Sequence, residues 1–431
     1  MGNVDQRGFV NQPSAIKATP AWLSGAEAAA FLGVKRETLY AYASRGLVRS
    51  EPGEKGRGRR YRREDLVRIK ARSDARAGHG PVAAGALRWG EPVLESALTA
   101  IDEGGPRYRG HAAVGLADRS SFEAVAELLW TGALPDERPA WRAEGLGLRA
   151  ASLAALLPDR CHPLTVLSVA VPAIGAGDPG RFDATMDAER KRARALILRM
   201  AALLGFTGES HAQAREAAAA ESVARAALIG LGARPTARAE RAVDRALVLI
   251  ADHELNASAF TVRVAASARA DLYACVSAGL ATLSGPRHGG VCDRVEALVA
   301  ETKHPARARQ VIEERMRNGA GVPGFGHPLY PAGDPRATAM LAAAIEIAPR
   351  NAGVATMRAL VEAMHALGHE PPTSDIGLVS LTLALGLPPG SAAALFALGR
   401  TAGWVAHAFE QREAEFLLRP RARYVGPPAA P

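Results

Sequence analysis

Residues 322–336 read VPGFGHPLYPAGDPR and place His327 in a polar segment bounded by glycine and proline. Two other segments share this character, DHELNAS around His253 and SGPRHGG around His288. Glycine lets the backbone and a ligand approach closely, and imidazole exchanges protons near neutral pH. A lone histidine is usually a hydrogen-bonded structural residue, but three in such segments favour a catalytic or binding site. We find no His-x-x-x-His motif and no acidic ligand cluster, so we expect no metal site.

The sequence between these segments is rich in Ala and Leu, and its apolar residues recur every three or four positions. Gly or Pro separates many of the periodic stretches, and nothing alternates for long with the period of two that indicates strands. The sequence therefore predicts an all-α fold for most of the chain. Helices are expected near residues 122–130, 189–204, 216–231, 239–252, 265–283, 305–318, 337–347, 353–367 and 392–411.

The chain has 431 residues, with 53 Lys and Arg against 44 Asp and Glu, and this excess is unevenly distributed. Residues 1–78 contain 16 basic and 8 acidic side chains, whereas residues 79–431 contain 37 and 36. A composition of 48% hydrophobic and 23% charged residues excludes a disordered protein. The asymmetry predicts a basic module that meets nucleic acid, followed by a neutral body. A solvated basic face is the alternative.

The basic region has a helix-turn-helix pattern. Ser24 followed by Glu27 predicts a capping box for a first helix, Gly33 ends that helix, and a second helix follows directly. Residues 51–60 read EPGEKGRGRR, which predicts a flexible arginine-rich hairpin. A third helix is expected after Tyr61.

The segment from residue 23 to residue 69 resembles the winged helix-turn-helix of the MerR and excisionase families. The resemblance rests on the AEAAAFLGV first helix, the arginine-rich wing and the RYRREDL entry to the third helix. It departs from the family pattern at Lys35, where such modules usually carry a Ser or Thr cap. The resemblance implies DNA contacts by Arg36, Thr38, Tyr40, Arg57, Arg59 and Arg60. A small domain that binds another protein, or nothing measurable, is the alternative.

The three cysteines, Cys161, Cys275 and Cys292, are too few for a disulfide framework, and their spacing matches no zinc site. There is no run of 18 or more apolar residues and no signal-peptide pattern. We therefore expect a cytoplasmic protein without a structural metal or a membrane-spanning segment.

From about Leu98 onward, the chain closely resembles the citrate synthase family. The three histidine segments occur in the family's order and approximate spacing, together with RYRG at 107–110, SSFE at 120–123, and the closing GRTAGW and RPRARY motifs. Several independent motifs in order identify the body as a member of this family. The resemblance implies an acyltransferase of the tricarboxylic acid cycle that condenses acetyl-CoA with oxaloacetate and hydrolyses citryl-CoA to citrate and CoA.

The resemblance also assigns catalytic roles. Asp375, in PPTSDI, matches the base that removes a proton from the methyl group beside the thioester carbonyl. Without the resemblance, an N-cap of the following helix would be the simpler interpretation. His288 matches a neutral donor to the enolate oxygen, and His327 matches the donor to the oxaloacetate ketone. His253 and Asn256 match groups that hydrogen-bond oxaloacetate.

Arginines should bind the carboxylates of the substrate, because a planar guanidinium makes bidentate contacts with them. Arg336, Arg400 and Arg419 match the family's carboxylate-binding arginines, and Arg419 would be supplied across a homodimer interface. A surface ion pair is the alternative for any one of them. The only co-substrate implied besides oxaloacetate is the CoA thioester, with no separate cofactor. The turn near its adenine matches Gly324, Phe325 and Gly326.

These resemblances define the expected domains. A small domain would close over the ligands and exclude water before condensation. The expected boundaries are a disordered lead at 1–20, a winged helix-turn-helix domain at 21–76, a linker at 77–94, a large domain at 95–289 and 389–431, and a small domain at 290–388.

The chain departs from the family pattern beside the CoA side of the site. Arg287 stands where Leu is usual, residues 291–293 read VCD instead of Ala-Asn-Glu, and residues 328–329 read PL instead of Arg-Val. The sequence therefore does not fix which acyl-CoA the enzyme uses, and a 2-methylcitrate synthase that uses propionyl-CoA is one alternative. Another is a DNA-binding regulator whose synthase-like body senses acyl-CoA or oxaloacetate. A third is a module that tethers the enzyme to a protein partner.

Overall fold

The computed structural model describes residues 22–45, 47–53, 58–63, 65–66, 69–70, 94–102, 104–159, 161–420, 422 and 426. The chain divides into two compact units, Met1–Glu95 and Ser96–Pro431. The predicted lead at 1–20 and all but the last residue of the predicted linker at 77–94 lie outside the described residues. The predicted division of the body into large and small domains stays a prediction.

In its described residues, the first unit combines two short helices and further helical residues between 63 and 70 with a three-stranded antiparallel sheet in the order β1-β3-β2. The side chain of Ser24 accepts a hydrogen bond from the backbone of Glu27, and the Glu27 carboxylate accepts one from the backbone of Ser24. Gly33 follows in the left-handed conformation, with a φ of +66°. The predicted capping box and helix break are therefore confirmed. The elements are β1 (Trp22–Ser24), α1 (Gly25–Leu32), α2 (Arg36–Ser44), β2 (Ser50–Pro52) and β3 (Arg59–Arg62).

A small core holds this unit together. The carboxylate of Asp65 accepts hydrogen bonds from the backbone and the guanidinium of Arg49, at 2.8–2.9 Å. Residues 63, 65, 66, 69 and 70 are helical, as predicted for the third helix. The buried apolar residues are Leu23, Ala28, Ala29, Leu39, Val48, Tyr61 and Leu66.

The body is mostly helical, which confirms the predicted fold class, and one small sheet interrupts it. Its strands are β4 (Thr99–Asp102), β5 (Gly105–Tyr108) and β6 (His111–Ala112), antiparallel in sequence order. Its helices are α3 (Ala113–Arg119), α4 (Phe122–Thr131), α5 (Ala150–Leu156), α6 (Pro163–Ala176), α7 (Met186–Leu203), α8 (His211–Ala218), α9 (Val223–Gly230), α10 (Ala237–Ile250), α11 (Ala257–Ser267), α12 (Leu272–Leu283), α13 (Val291–Thr302), α14 (Ala308–Arg317), α15 (Pro335–Ile347), α16 (Ala352–Ala366), α17 (Ser374–Ala384) and α18 (Ser391–Glu413).

Helix α18 is the central element of the body. It packs against α4, α7, α10, α11 and α12, and its residues from Ser391 to Phe409 are all buried. A helix that is buried on every side is mostly apolar on every side, which explains its Ala-rich and Leu-rich sequence; its buried polar residues include Arg400 and His407. Among the described residues, no helix is both long and apolar enough to cross a membrane.

Two stretches that were each predicted as one helix form two helices in the structure. The stretch 216–231 is interrupted between α8 and α9, where Ser222 caps α9 by accepting a hydrogen bond from Arg225 N. The stretch 265–283 is interrupted between α11 and α12, where Asp271 caps α12. A polar cap inside an Ala-rich run starts a new helix although the hydrophobic period continues.

Candidate active site

A tight turn between α10 and α11 presents His253 to the interior. Glu254 adopts a left-handed backbone with a φ of +54°, which is uncommon for a residue other than glycine. Asn256 caps α11, since its Oδ1 accepts the backbone N–H groups of Ser258 and Ala259, both at 3.1 Å. Its amide donates to the carbonyl of His253 at 3.3 Å. Asn256 therefore shapes the turn, and its predicted contact with oxaloacetate stays a prediction.

His253 and His327 meet in an aromatic cluster with Tyr330. Nε2 of His253 lies 2.7 Å from the hydroxyl oxygen of Tyr330. The ring centroids of His253 and His327 are 5.3 Å apart in an edge-on arrangement, and those of His327 and Tyr330 are 5.1 Å apart. Two of the three histidine segments quoted from the sequence are thus in contact.

The third histidine, His288, is held by the hydroxyl group of Ser258, which belongs to the His253 segment. Nε2 of His288 lies 2.8 Å from Oγ of Ser258, which also accepts the indole N–H of Trp404 at 3.1 Å. Oγ of Ser258 is also 2.7 Å from Oδ1 of Asn256. Because a hydroxyl has one proton, Ser258 can donate to His288 or to Asn256 but not to both. In either case Nδ1 is the ring nitrogen of His288 that is left for a ligand.

Arg336 is buried and paired. Its Nε and Nη2 donate to the two carboxylate oxygens of Asp334, at 3.0 and 2.8 Å, and its Cζ lies 5.3 Å from the centre of the Tyr330 ring. Asp334 also accepts the backbone N–H of Ser374 at 3.1 Å, next to Asp375. Burial by itself would lower the pKa of Arg336, but the Asp334 carboxylate outweighs it and raises that pKa.

Arg400, on α18, is buried without such a pair. Its Nε donates to the carbonyl of Ile250 at 2.8 Å, and its Cζ lies 4.8 Å from the centre of the Phe396 ring. The described residues place no carboxylate within ion-pair distance of it. Burial lowers the pKa of Arg400 to about 10, so the group is still a cation at neutral pH. A buried cation with no acidic partner is arranged to receive an anion.

Asp252 anchors the small sheet behind His253. This fully buried carboxylate accepts the hydroxyl of Thr99 at 2.6 Å and lies 3.4 Å from Nε2 of His407. The hydroxyl oxygen of Tyr108 lies 3.0 Å from the carbonyl oxygen of Val248 and 3.1 Å from that of Leu249, at the end of α10, and its single proton is donated there. Burial alone would raise the pKa of Asp252, but His407, Arg400 and Thr99 lower it below its ordinary value.

Asp375 lies in the first turn of α17 and faces α13. The hydroxyl of Thr373 donates to its Oδ2 at 2.8 Å, and the thiol of Cys292 donates to its Oδ1 at 3.3 Å. The N-cap residue of α17 is Thr373, so the interpretation of Asp375 as the N-cap is wrong. Burial raises the pKa of Asp375, against the opposing effect of the two donors. A carboxylate of this kind is a stronger base than one in water.

The predicted glycine turn at 324–326 joins His327 to the Asp375 segment. Gly326 N donates to the carbonyl of Pro371 at 2.9 Å, and Thr373 N donates to the carbonyl of Gly324 at 2.8 Å. Phe325 is half-buried and forms an isolated β-bridge with Pro372. The turn therefore has a structural role, and its predicted contact with CoA stays a prediction.

The imidazoles of the cluster are neutral near pH 7. Burial and Arg400 lower the pKa of His288 to about 4, and burial and Arg336 do the same for His327. Burial and both arginines hold the pKa of His253 well below its usual range. Three uncharged imidazoles beside two cations form a site for an anionic ligand, with neutral donors at hand.

Arg419 is the predicted site residue that the structure does not bring to this cluster. It is exposed in the segment after α18, and its expected place in a partner subunit's site stays a prediction. In the part of the chain that the structure describes, no three His, Cys, Asp or Glu side chains are grouped to hold a metal ion.

Sequence reasoning did not single out several residues that orient the site: Ser258, Tyr330, Asp334, Thr373, Asp252 and His407. All of them except His407 lie inside the quoted motifs, where the signal was a hydroxyl or carboxylate close to a histidine, an arginine or Asp375. The role of His407 follows only from the fold.

The helix-turn-helix unit carries its predicted contacts on exposed and half-exposed positions. Arg36 and Tyr40 are exposed on one face of α2, whereas Thr38 is half-buried beside the fully buried Leu39. In the wing, Arg59 donates to Oγ of Ser50 at 3.0 Å, and Arg60 forms an ion pair with Glu51 at 2.9 Å. The predicted contact at Arg57 lies outside the described residues.

Comparison with known proteins gives two family matches. The family described as citrate synthase, C-terminal domain, matches residues 86–421, and a helix-turn-helix domain family matches residues 22–73. A 2-methylcitrate synthase of Corynebacterium glutamicum is 32% identical over 74% of this chain and 88% of its own. A citrate synthase of Saccharolobus solfataricus is 30% identical over 77% of this chain and 93% of its own.

Solved structures of citrate synthases also resemble this chain. The citrate synthase of Thermoplasma acidophilum, in a ternary complex with carboxymethyl coenzyme A and oxaloacetate, covers 79% of this chain and 95% of its own. Its sequence is 28% identical, and the TM-score is 0.68.

A helical body with a buried set of imidazoles, guanidiniums and a basic carboxylate is the body of an enzyme. The family match covers well over half of the chain. The chain belongs to the citrate synthase family, and it carries a helix-turn-helix domain at residues 22–73.

Proposed function

We propose that the body condenses acetyl-CoA with oxaloacetate and hydrolyses the resulting thioester to citrate and CoA. The observation that carries this proposal is Arg400, a buried cation that has no carboxylate within ion-pair distance among the described residues and that Asp252 stabilises only at longer range. It lies in the same cluster as the neutral imidazoles of His253 and His288, as their lowered pKa values indicate. A dicarboxylate supplies the missing counter-charge.

Proton abstraction falls to Asp375 in this proposal. Its raised pKa makes the carboxylate a better base for the weakly acidic methyl group. His288 donates from Nδ1 to the developing enolate oxygen, which requires that Nε2 accept the hydroxyl proton of Ser258. This orientation requires that the Ser258 hydroxyl turn its proton from Oδ1 of Asn256 to Nε2 of His288. A neutral donor already in place avoids reorganisation in the transition state.

Oxaloacetate binding falls to the other members of the cluster. His327 donates a hydrogen bond to the ketone oxygen as the new carbon–carbon bond forms. His253 makes a further hydrogen bond to oxaloacetate. Arg336 and Arg400 bind the carboxylates, and Arg336 is already oriented by Asp334. Water then attacks the condensed thioester and releases CoA.

Propionyl-CoA is the second candidate acyl donor, which would make the enzyme a 2-methylcitrate synthase. The relatives named above support it, since one is a 2-methylcitrate synthase and another, at similar identity, is a citrate synthase. The two acyl groups differ by one methylene, which an apolar pocket distinguishes by about 1–3 kcal/mol. The ratio of kcat/KM for the two thioesters decides between them.

The test of the proposed reaction is release of free CoA from acetyl-CoA or propionyl-CoA in the presence of oxaloacetate. Asp375→Asn should lower kcat by about 10²–10⁴-fold, because it removes the base while keeping the shape of the side chain. Asp187→Asn, at a fully exposed position on α7, is the matched control and should leave kcat unchanged. The proposal is wrong if the wild type releases no CoA from either thioester, or if Asp375→Asn behaves like the control.

We further propose that the active form is a homodimer in which Arg419 completes the partner's site. The exposed position of Arg419 supports this arrangement. Dimers that mix Asp375→Asn and Arg419→Ala subunits test it, since one of their two sites then holds both native residues. Co-refolded mixtures should regain about a quarter of the wild-type rate. No recovery would mean that Arg419 acts only in its own subunit.

The helix-turn-helix domain has a separate proposed function, the binding of duplex DNA. Arg36 and Tyr40 project from α2, the second helix of the motif, which is the helix that enters the major groove in such domains. A mobility shift with a random-sequence duplex at low salt, followed by a salt titration, measures this binding. Arg36→Ala should weaken it, whereas Arg358→Ala, an exposed arginine on α16, should not. If no shift occurs at low salt, a protein-tethering role for the domain remains.

A regulatory coupling of the two activities is testable in the same assay. The expected result for a sensor is that oxaloacetate or acyl-CoA changes the apparent Kd for DNA. An unchanged Kd, together with CoA release, leaves an enzyme that carries a separate binding domain. The expected location in the cytoplasm also stays a prediction, supported by three cysteines that are all free thiols.

A further inference from the structure

Cys292 lies against the carboxylate that we assign as the base. It is the second residue of α13, its side chain is completely buried, and its Sγ is 3.3 Å from Oδ1 of Asp375. The two residues are 83 positions apart in the sequence, and the packing of α13 against α17 brings them together.

The two oxygens of Asp375 have unequal donors. Oδ2 accepts the hydroxyl of Thr373 at 2.8 Å, which is an ordinary hydrogen bond. Oδ1 accepts a thiol, and S–H is a weak donor. A carboxylate oxygen with a weaker donor keeps more of its electron density, so Oδ1 is the more basic of the two.

The thiol stays protonated throughout the working pH range. Burial raises the pKa of Cys292 well above its usual range, and the carboxylates of Asp375, Asp293 and Glu296 act in the same direction. Cys292 therefore donates to Asp375 at neutral pH. It cannot become a competing thiolate base in its resting state.

We propose that Cys292 is a positioning residue for Asp375, whose weak S–H donor orients the carboxylate and leaves Oδ1 as the atom that takes the substrate proton. The proposal rests on the proposed function, since it needs Asp375 to be the base. Its consequence is that the strength of the donor at position 292 sets the basicity of Asp375. A stronger donor would make the carboxylate a weaker base, and no donor would make it a stronger but less well-oriented one.

Two substitutions that change only the donor test this proposal through the pH profile of kcat/KM. Cys292→Ser has a stronger O–H donor, so the acid limb should move to lower pH and kcat should fall several-fold. Cys292→Ala has no donor, so the acid limb should move to higher pH. We expect each shift to be within about one pH unit, and the KM for oxaloacetate to be unchanged.

Cys275 provides the matched control. It is also a buried free thiol, on α12, and its Sγ donates to the carbonyl of Ala270 at 3.6 Å. Cys275→Ser and Cys275→Ala should leave the acid limb where it is in the wild type. The proposal is overturned if the acid limbs of Cys292→Ser and Cys292→Ala coincide with the wild-type limb, because a residue with a purely structural role would change rate or stability alone.

An infrared measurement tests the contact without turnover. The S–H stretch of Cys292, identified by its loss in Cys292→Ala, should move to higher frequency in Asp375→Asn, since an amide oxygen is a weaker acceptor than a carboxylate. An unmoved band overturns the proposal even if the enzyme is active. If the wild type releases no CoA, the proposed reaction fails, while a shifted band would still support the Cys292–Asp375 hydrogen bond.

Discussion

Arg336 and Arg400 are both buried, but they are stabilised in different ways. Arg336 shares two hydrogen bonds with Asp334, so most of its charge is already balanced. Arg400 has a backbone carbonyl and the face of Phe396 instead. A carbonyl dipole and an aromatic ring compensate burial less completely than a carboxylate, which is why burial lowers the pKa of Arg400 to about 10. The uncompensated part of this charge is available for a ligand.

Replacement of Arg400 by Leu should therefore weaken oxaloacetate binding more than it changes the stability of the fold. We expect the affinity for oxaloacetate to fall by about 2–5 kcal/mol, measured by titration calorimetry. The melting temperature should change less than the affinity, because Arg400 is in no ion pair within 4 Å and stabilises the Asp252 carboxylate only at longer range.

Arg263→Leu is the contrasting variant. Arg263 is buried and forms an ion pair with Glu410, so its removal leaves a carboxylate without its partner. We expect a loss of about 3–5 kcal/mol in the free energy of unfolding, with oxaloacetate affinity unchanged. The same loss of stability in both variants, with unchanged binding in both, would contradict this account of Arg400.

Asp244, a buried carboxyl group on α10, makes the free energy of unfolding depend on pH. Asp244 and Glu123 lie close together and share Arg138, at 3.7 and 3.3 Å. Burial and the Glu123 carboxylate raise the pKa of Asp244 to about 7. Because the folded pKa is above the unfolded one, Asp244 favours the folded state while it is protonated. This contribution is complete below the unfolded pKa of about 3.9 and is lost as the pH rises through about 7.

Asp244→Asn should therefore gain melting temperature relative to the wild type as the pH rises from 5 to 8, because an amide never ionises. Its Oδ1 can still accept the backbone N–H of Phe122. Thermal melts across this pH range measure the difference, with the exposed Asp118→Asn as the control. A difference that does not change with pH would contradict the assignment.

At the scale of secondary-structure elements, the turn at 324–326 controls where α17 begins. Its two backbone hydrogen bonds to residues 371–373 fix the strand-like segment that precedes Asp375. Gly324 has a φ of +84°, and a Cβ there would lie 2.7 Å from Cγ2 of Val295 and 2.8 Å from Cδ1 of Ile376. This glycine is therefore required both by backbone conformation and by close packing.

Gly324→Ala should cost more stability than Gly386→Ala. Both glycines have a positive φ, which costs about 1–2 kcal/mol for alanine, but Gly386 has no atom within 4 Å of its would-be Cβ. The clash at Gly324 should add about 1–3 kcal/mol, measured by urea unfolding, and should also lower kcat by moving Asp375. Equal losses in the two variants would show that the close packing is not tight.

Sequence reasoning found the elements of the body better than their junctions. Hydrophobic period predicted most of the long helices, but the period continues through Ser222 and Asp271, where new helices begin. The strands β4, β5 and β6 have four residues or fewer, which is too short for a period of two to be recognised. The small sheet was therefore missed.

For the candidate site, the residues were predicted better than the contacts between them. The resemblance to the citrate synthase family implied that the three histidines, Asp375 and the buried arginines belong to one site. It could not show that Cys292 touches Asp375 or that Ser258 touches His288, because these contacts join segments 83 and 30 residues apart. Such contacts depend on how helices pack, and the local sequence does not encode this.

On the scale of the whole molecule, the two units differ greatly in the size of their cores. Among the residues that the structure describes, seven buried apolar side chains and the Asp65 ion pair hold the first unit, whereas a single large cluster runs through the body. A smaller buried area gives a smaller free energy of unfolding. The stability of the chain is therefore not one quantity, and two transitions are expected.

Hydrogen exchange at increasing urea concentrations should resolve them. Amides between residues 22 and 70 should lose protection at lower urea than those of α18, because their unit buries less apolar surface. Oxaloacetate should raise the urea midpoint of the body alone, since the proposed site lies within it. Loss of protection in both units at one urea concentration, with or without ligand, would contradict this expectation.

The anchoring of the small sheet has a consequence for the order of events on the ribosome. Thr99 is hydrogen-bonded to Asp252, and Ser96 and Ala97 are hydrogen-bonded to Glu410, more than 300 residues later. The strand β4 can pair with β5 early, but the hydrogen bonds that anchor it to the body are complete only after Asp252 and then Glu410 have been made. The contacts of the helix-turn-helix unit lie within about 40 residues. A growing chain thus completes its helix-turn-helix well before its enzyme, and a partner that binds the former can reach it while the latter is still being synthesised.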